Sequence, residues 1–308
     1  MPRVVQFDEF GSRDYLTVVE RPRPWPGPGQ ISVRVMGAGL NLVDIKAYQD
    51  ERAAARMGVT LPSGVGQDFS GFVEDIGEGV TAFTVGQAVF GSAPFASIAD
   101  FTVVQEDGQV VAKPDPLTFE VAGSLGVVGR TAMASAASLV LGEHDTVLVS
   151  AAAGGVGILA AQLAIRAGAT VIGTASVENH EFLETLGIIP VAYGEGLVER
   201  VLEVLDDGDR VTAVLDNHGT PTIDAAIELG VPVDRINTIA AFGPGARGAQ
   251  TVGGRGATNA DLIEIAELLA ENELVLPIDS IFPIERTAEA YARLETRHVR
   301  GKIVIVTE

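Results

Sequence analysis

The chain has 308 residues, 47% hydrophobic and 20% charged, with a formal net charge of −20. That length holds two ordinary domains with a real core, and the acidic balance excludes nucleic acid as a partner, because polyphosphates are bound through Lys and Arg. With no cysteine in the sequence, disulfides, thiolate nucleophiles and cysteine-ligated zinc are excluded together.

The opening Met1-Pro2-Arg3 leads into FDEF rather than into a basic and apolar leader, so no signal peptide is expected and the expected location is cytoplasmic. Up to about residue 116 the chain offers short β-like runs broken by Gly and Pro: ISVRVMGAGL, FSGFVEDIG, QAVFG and ADFTVVQEDGQVVAKP. Such spacing predicts a small, irregular β-rich domain. RPRPWPGPG (Arg21 to Gly29) reads as a stiff connector. The weakly polar stretch VAGSLGVVGRTAMASAASLVLG carries Arg130 and many small residues, a poor membrane span, and no membrane partner is expected.

After KPDPLTF the texture changes. DTVLVSA predicts a buried strand, GILAAQLAIRAG an apolar helix ended by Gly168, and ATVIGTA a second strand. NHEFLETLG reads as a short helix, VTAVLDN and DRINTIAAF as further strands, and NADLIEIAELLAENEL as an amphipathic helix. Strands alternating with helices predict a doubly wound parallel sheet. RGKIVIVTE reads as a terminal strand able to return to the first domain.

SAAAGGVG (Ser150 to Gly157) sits between the first of these strands and its helix. Against the dinucleotide pattern G-x-G-x-x-G it gives Ala152-x-Gly154-x-x-Gly157, with alanine for the first glycine. In that context Gly154 admits a pyrophosphate to the backbone, Gly157 admits the helix to the strand, and the helix N-terminus offers N–H groups and a positive dipole end. A tight strand–helix turn of another α/β fold is the competing reading. At the end of the second strand an NAD site normally places an acid for the ribose. Here stands Ser176, neutral and able to donate, with Asn179 and His180 as the nearest other donors. A 2′-phosphate fits them, while Glu178 either serves a ribose or repels that phosphate.

GLNLVDIKAY, GQDFSGFVEDIGEGV, GRTAMASA, the strand–loop–helix segment and the closing RGKIVIV follow one another in order. Over nearly the whole chain they resemble the quinone oxidoreductase (zeta-crystallin-like) branch of the zinc-free medium-chain dehydrogenase/reductase superfamily. The resemblance implies an α/β protein with a GroES-like β-rich catalytic domain (1–116, completed by 256–308) and a Rossmann doubly wound parallel-sheet domain (117–255). It implies NADPH as cofactor and a homo-oligomer, with a dimer favoured. Zinc-dependent members place Cys and a His-Glu pair where this chain has Asn41 and Gln67-Asp68, so no catalytic metal site is expected.

Residue by residue, the resemblance puts Asn41 near nicotinamide and substrate and Thr131 near the nicotinamide ribose. It puts Gly154, Gly155, Val156 and Gly157 on the pyrophosphate, Ser176 at the 2′-phosphate and Tyr193 at the adenosine end. Ile239, Ala240, Ala241 and Phe242 supply the backbone that meets the carboxamide. Ala153 in the loop, Asn217 at the end of VTAVLDN, and Asn179 with His180 complete the expected cofactor set. The expected reaction is hydride transfer from NADPH to a quinone or to the C=C of an α,β-unsaturated carbonyl, with Asn41 and Tyr48 as catalytic candidates for holding the developing oxyanion or supplying a proton. A zinc-free carbonyl or alcohol dehydrogenase and a non-catalytic NADPH-binding protein are the alternatives.

Overall fold

The structure, a computed structural model, describes residues 1–307 and divides into two compact units. The first contains Met1–Val127, Leu262–Glu273 and the residues from Pro277 on; the second contains Val128–Asp261 and Leu274–Leu276. Among the described residues no helix is long and apolar enough to cross a membrane.

The first unit is built on a seven-stranded sheet. Its central strand, Gln30–Gly39, buries Ile31, Val33 and Val35, every second residue, as a strand with one face on a core must. Asp68–Ile76 pairs along one side; Phe101–Gln105 and the terminal strand Lys302–Val306 share the other. Ile278–Pro283 then adds in parallel to Lys302–Val306, and Ala88–Ser92 and Val110–Ala112 extend the opposite end. A small second sheet joins Arg3–Phe7 to Thr17–Glu20 and Ser63–Gly64. Phe7, Val33, Val35, Tyr48, Phe69, Tyr291 and Ile305 lie in one apolar cluster.

This unit continues past residue 116, where the texture of the sequence changes, because residues 119–124 lie against the central strand. Gly39 N–H donates to Gly123 O at 2.8 Å and Ser70 Oγ donates to Phe119 O at 2.6 Å. A β-carbon on Gly39 would stand 2.7 Å from Ser124 Cα and 2.8 Å from Gly123 O. Only a residue without a side chain admits that approach. The break therefore falls after Val127, not after residue 116, and the chain returns at Leu262, not at 256.

The second unit holds a six-stranded, all-parallel sheet. From edge to edge its strands are Ile189–Ala192, Thr170–Ala175, Thr146–Val149, Ala213–Asp216, Ile236–Thr238 and Gln250–Thr251. In order of appearance this is 3-2-1-4-5-6, the doubly wound Rossmann arrangement. Leu148, Ile172, Val214, Ile223 and Ile236 fill the core on one face. The helix Gly155–Arg166 buries the continuous run Gly157–Gln162 and Ala164, most of them small or aliphatic, and it stops where Gly168 takes φ +95°. Its one buried polar side chain, Gln162, donates to Ile158 O and Val275 O at 2.9 Å and accepts Val275 N–H at 2.8 Å. These bonds hold Leu274–Leu276 in this unit although the residues on either side belong to the other.

Gly39→Ala should destabilise the first unit by about 1–3 kcal/mol, the range for an atom forced into filled space. Urea unfolding followed by circular dichroism checks this, and unchanged stability would contradict the backbone contact.

Candidate active site

In the first unit the turn Gly39-Leu40-Asn41 leads from the central strand into the helix Leu42–Gln49. Asp44, three residues into that helix, accepts the Asn41 N–H at 2.8 Å, and Tyr291 OH donates to the same oxygen at 3.1 Å. The Asn41 amide is engaged on both sides. Its nitrogen donates to Asp68 Oδ2 at 2.9 Å and to Gly39 O at 3.2 Å, and its oxygen accepts Lys302 Nζ at 2.6 Å. Lys302 also donates to Leu40 O at 2.6 Å and stands 3.9 Å from Asp68 Oδ2. Asp44, Asp68 and Lys302 are all buried.

One ammonium and two carboxyls in a buried cluster cannot all be charged cheaply. Burial pushes the Asp44 carboxyl up to about 7, against the Asn41 N–H that favours its charge. Burial likewise pushes Asp68 up to about 6, while Lys302 and the Asn41 amide pull it back. Lys302 is lowered by burial and held up by Asp68 and Asp44. The carboxyl pair thus keeps a proton until near-neutral pH, and Lys302 balances the remaining charge.

This geometry corrects both catalytic expectations. Asn41 has spent both amide hydrogens and has none for a developing oxyanion. Tyr48 is wholly buried, its ring 5.3 Å from that of Tyr291, and its hydroxyl donates to Glu295 Oε1 at 2.9 Å. Burial first and then Glu295 raise its pKa, so Tyr48 packs the core rather than supplying a proton. Lys302 and Asp68 were not singled out as site residues. The acid in GQDFSG and the Lys in RGKIVIV are visible in the sequence, but no spacing connects them.

In the second unit the remaining residues other than Thr131, which lies in the helix Leu125–Ala137, follow the carboxyl ends of the parallel strands, where α/β sheets bind ligands. Ala151 takes φ +49°, a conformation that L residues rarely adopt, and its N–H donates to Thr174 Oγ1 at 3.1 Å. Ala152 N–H donates to Thr174 O at 2.9 Å. A β-carbon on Gly157 would stand 2.2 Å from Ala151 O, so the helix meets the loop only through glycine there. One on Gly154 would meet only Ala151 O, at 3.3 Å, and the space above it is open. No side chain caps the helix Gly155–Arg166 at Gly154, and first-turn N–H groups of a helix lack intrahelical partners. Alanine replaces the first glycine because the neighbouring strand has Gly173: a β-carbon there would stand 2.7 Å from Ala152 Cβ.

Ser176 follows the second strand, and Asn179 donates to it twice, Nδ2 to Oγ at 3.0 Å and N–H to O at 2.9 Å. His180 Nε2 is buried without a hydrogen-bond partner, and Tyr193 is half exposed. Asn217 N–H donates to Ser150 Oγ at 2.7 Å and Asn217 Nδ2 to Ser150 O at 2.9 Å, which leaves Asn217 Oδ1 buried and unpartnered. Ile239 N–H donates to Asp216 O at 3.0 Å, and Phe242 is exposed. Thr131 is buried, and a β-carbon on Gly254 would stand 3.1 Å from its Oγ1. Beside it Arg130 donates to Ala257 O at 2.6 Å and to Asn259 Oδ1 at 3.0 Å. An uncapped helix N-terminus with open space over Gly154, and the unpartnered acceptor of Asn217, fit a dinucleotide with phosphate and hydroxyl groups.

Family models for an alcohol dehydrogenase GroES-like domain and for a zinc-binding dehydrogenase match residues 27–149 and 182–305. The structure of the quinone oxidoreductase from Coxiella burnetii superimposes with a TM-score of 0.86 and 30% identity, over 100% of this chain and 99% of that one. The quinone oxidoreductase of Pseudomonas aeruginosa is 28% identical, covering 99% of this chain and 100% of its own length. The chloroplastic NADPH-dependent alkenal/one oxidoreductase of Arabidopsis thaliana is 29% identical, over 90% and 72%. Fold and matches define a medium-chain dehydrogenase/reductase. The chain belongs to the quinone oxidoreductase branch of that superfamily, a branch of oxidoreductase enzymes.

Two outcomes test the buried cluster. Lys302→Met strands Asp68, Asn41 Oδ1 and Leu40 O, and should cost about 3 kcal/mol in urea unfolding, the low end for breaking a buried pair. The folded state raises the Asp44 pKa above its unfolded value, so the folded chain keeps a proton that the unfolded chain has lost. The contribution of this group to stability is therefore full at low pH and is lost as pH rises from about 4 to about 7. Asp44→Asn has no such titration, so the wild-type Tm minus the variant Tm should fall across that window. A constant difference would refute the assignment.

Proposed function

We propose that this protein reduces a quinone, or the C=C of an α,β-unsaturated carbonyl, with NADPH as the hydride source. The observation that carries this reading is the open, uncapped Gly154 loop beside the unpartnered Asn217 Oδ1. The names of the relatives, quinone oxidoreductase and NADPH-dependent alkenal/one oxidoreductase, supply the acceptor class.

When bound, NADPH supplies the hydride, and the protein supplies position and polar contacts. The N–H groups at Val156 and Gly157, with the helix dipole behind them, take the pyrophosphate. Ser176 and Asn179 take the 2′-phosphate: the second strand ends on a neutral hydroxyl where an NAD site carries an acid. Asn217 Oδ1 accepts a hydroxyl of the cofactor. Thr131 serves the nicotinamide ribose, Tyr193 the adenosine end, and the backbone of Ile239 to Phe242 the carboxamide. The Asn41 amide stays fixed by Lys302 and Asp68. Where zinc-dependent relatives place metal ligands, the Lys302 ammonium already bonds Asn41 and faces Asp68. The acceptor is therefore one that takes hydride without a Lewis acid, as quinones and enones do, with the proton drawn from water. The reading extends to a cytoplasmic homodimer, which sedimentation checks.

Fluorescence titration should show NADPH binding more tightly than NADH, followed by NADPH consumption with a quinone or an enone. Gly154→Val, which fills the open space, should weaken NADPH about tenfold or more, ~1.4 kcal/mol, with the fold retained. Tighter NADH binding would sink the 2′-phosphate assignment; no binding of either would sink the function.

A further inference from the structure

We propose that Asp216 is a positioning residue that sets two loops of the cofactor edge through the hydroxyls of Ser150 and Thr238. This inference rests on reading that edge as a nicotinamide dinucleotide site.

Asp216 ends the strand Ala213–Asp216 and is wholly buried, as are Ser150 and Thr238. A buried carboxylate is costly unless donors surround it. Its Oδ1 accepts Ser150 Oγ at 2.8 Å, His218 N–H at 3.0 Å and Gly219 N–H at 2.9 Å; its Oδ2 accepts Thr238 Oγ1 at 2.6 Å. These donors are hydroxyls and backbone amides, and they come from the ends of three adjacent parallel strands.

A carboxylate only accepts, so each hydroxyl must turn its single proton toward Asp216. That leaves the lone pairs of both hydroxyls for the loops. Ser150 Oγ takes the N–H of Asn217 at 2.7 Å, which with the Asn217 amide bond to Ser150 O holds Oδ1 clear of any protein partner. Thr238 Oγ1 takes the N–H groups of Ala240 at 3.2 Å and Ala241 at 3.0 Å, and so turns the chain into the segment Ile239 to Phe242. One acceptor thus fixes the polarity of two hydroxyls, and each hydroxyl fixes one arm of the site.

The two arms separate on substitution. In Asp216→Asn the amide oxygen is expected to stay with Ser150, His218 and Gly219, because two of those donors are backbone N–H groups that cannot reverse. The new NH2 then faces Thr238, whose hydroxyl must turn round and give up a lone pair that Ala240 and Ala241 require. Asp216→Asn should disturb the 239–242 arm, Thr238→Val should do the same by another route, and Ser150→Ala should disturb the Asn217 arm alone.

The test measures the NADPH dissociation constant by fluorescence and kcat with a quinone or enone, with Tm as a record of folding. Asp216→Asn and Thr238→Val are expected to lower kcat about tenfold, with the NADPH dissociation constant within about threefold of wild type. Ser150→Ala is expected to raise the NADPH dissociation constant about tenfold, with kcat within about threefold. Thr238→Ser, which keeps the hydroxyl, should recover most of the kcat lost in Thr238→Val. If Asp216→Asn folds poorly, the Thr238 and Ser150 variants still decide. Wild-type protein that binds NADPH, with variants that keep wild-type kcat and affinity, overturns the positioning role alone. So do variants whose kcat and affinity fall together in step with Tm. Wild-type protein that does not bind NADPH overturns the cofactor reading and this inference with it.

Discussion

Everything near the Asn41 turn depends on one buried ammonium. Lys302 reaches Leu40 O and Asn41 Oδ1 at 2.6 Å, so the terminal strand, the turn and Asp68 are fixed to one point. A lone ammonium there would be untenable, and so would two lone carboxylates. The cluster resolves this by combining opposite charge with hydrogen bonds from Asn41 and Tyr291. The second unit meets the same constraint at Asp216 by another route, with two hydroxyls and two backbone N–H groups around the carboxylate. In the first unit a counter-charge secures a polar group; in the second, aligned dipoles do so.

The difference bears on chemistry. A fully engaged Asn41 amide cannot reorient to follow charge that develops on a substrate, but it presents an unmoving oxygen. Hydride acceptors that already carry an electron-poor carbon ask for little more than position and a dry surface, and a fixed site supplies both. Alcohol oxidation asks for a Lewis acid or a positioned base. The cation beside Asn41 is an ammonium with its donors directed at protein oxygens, which is unsuited to that work.

Local pattern made much of this legible. A β-like run marked the central strand, the alternating strands and helices marked the parallel sheet, and the strand–loop–helix context placed SAAAGGVG between a strand and the start of a helix despite Ala152. What the sequence hid was long-range. Ile189–Ala192, Gln250–Thr251 and Ile278–Pro283 are short strands whose partners, more than their own residues, define them. The unit boundary depends on Gly39 meeting Ser124, and nothing near residue 116 announces that contact. Lys302 lies far along the chain from Asn41 and is an ordinary strand lysine until the sheet brings them together. Nothing near Tyr48 in the sequence announces its acceptor, Glu295, which comes from a helix near the C-terminus. Asp216 closes an apolar run, a position where an acid is buried, but the two hydroxyls that donate to it come from two other strands.

Ala152 shows how such a departure is absorbed. The first glycine of the dinucleotide pattern usually answers to a tight turn, yet here the left-handed residue is Ala151 and the methyl of Ala152 points at Gly173. The missing side chain has moved from the loop to the neighbouring strand, and the backbone path is kept. The donors proposed for the phosphates follow the same economy. A chain with net charge −20 offers them a helix N-terminus, a serine and an asparagine rather than a cluster of Lys and Arg. Oriented dipoles select a small anion held at one place without drawing in long polyanions, because their field falls off within the first turn. An acidic protein and a phosphorylated cofactor are compatible on those terms.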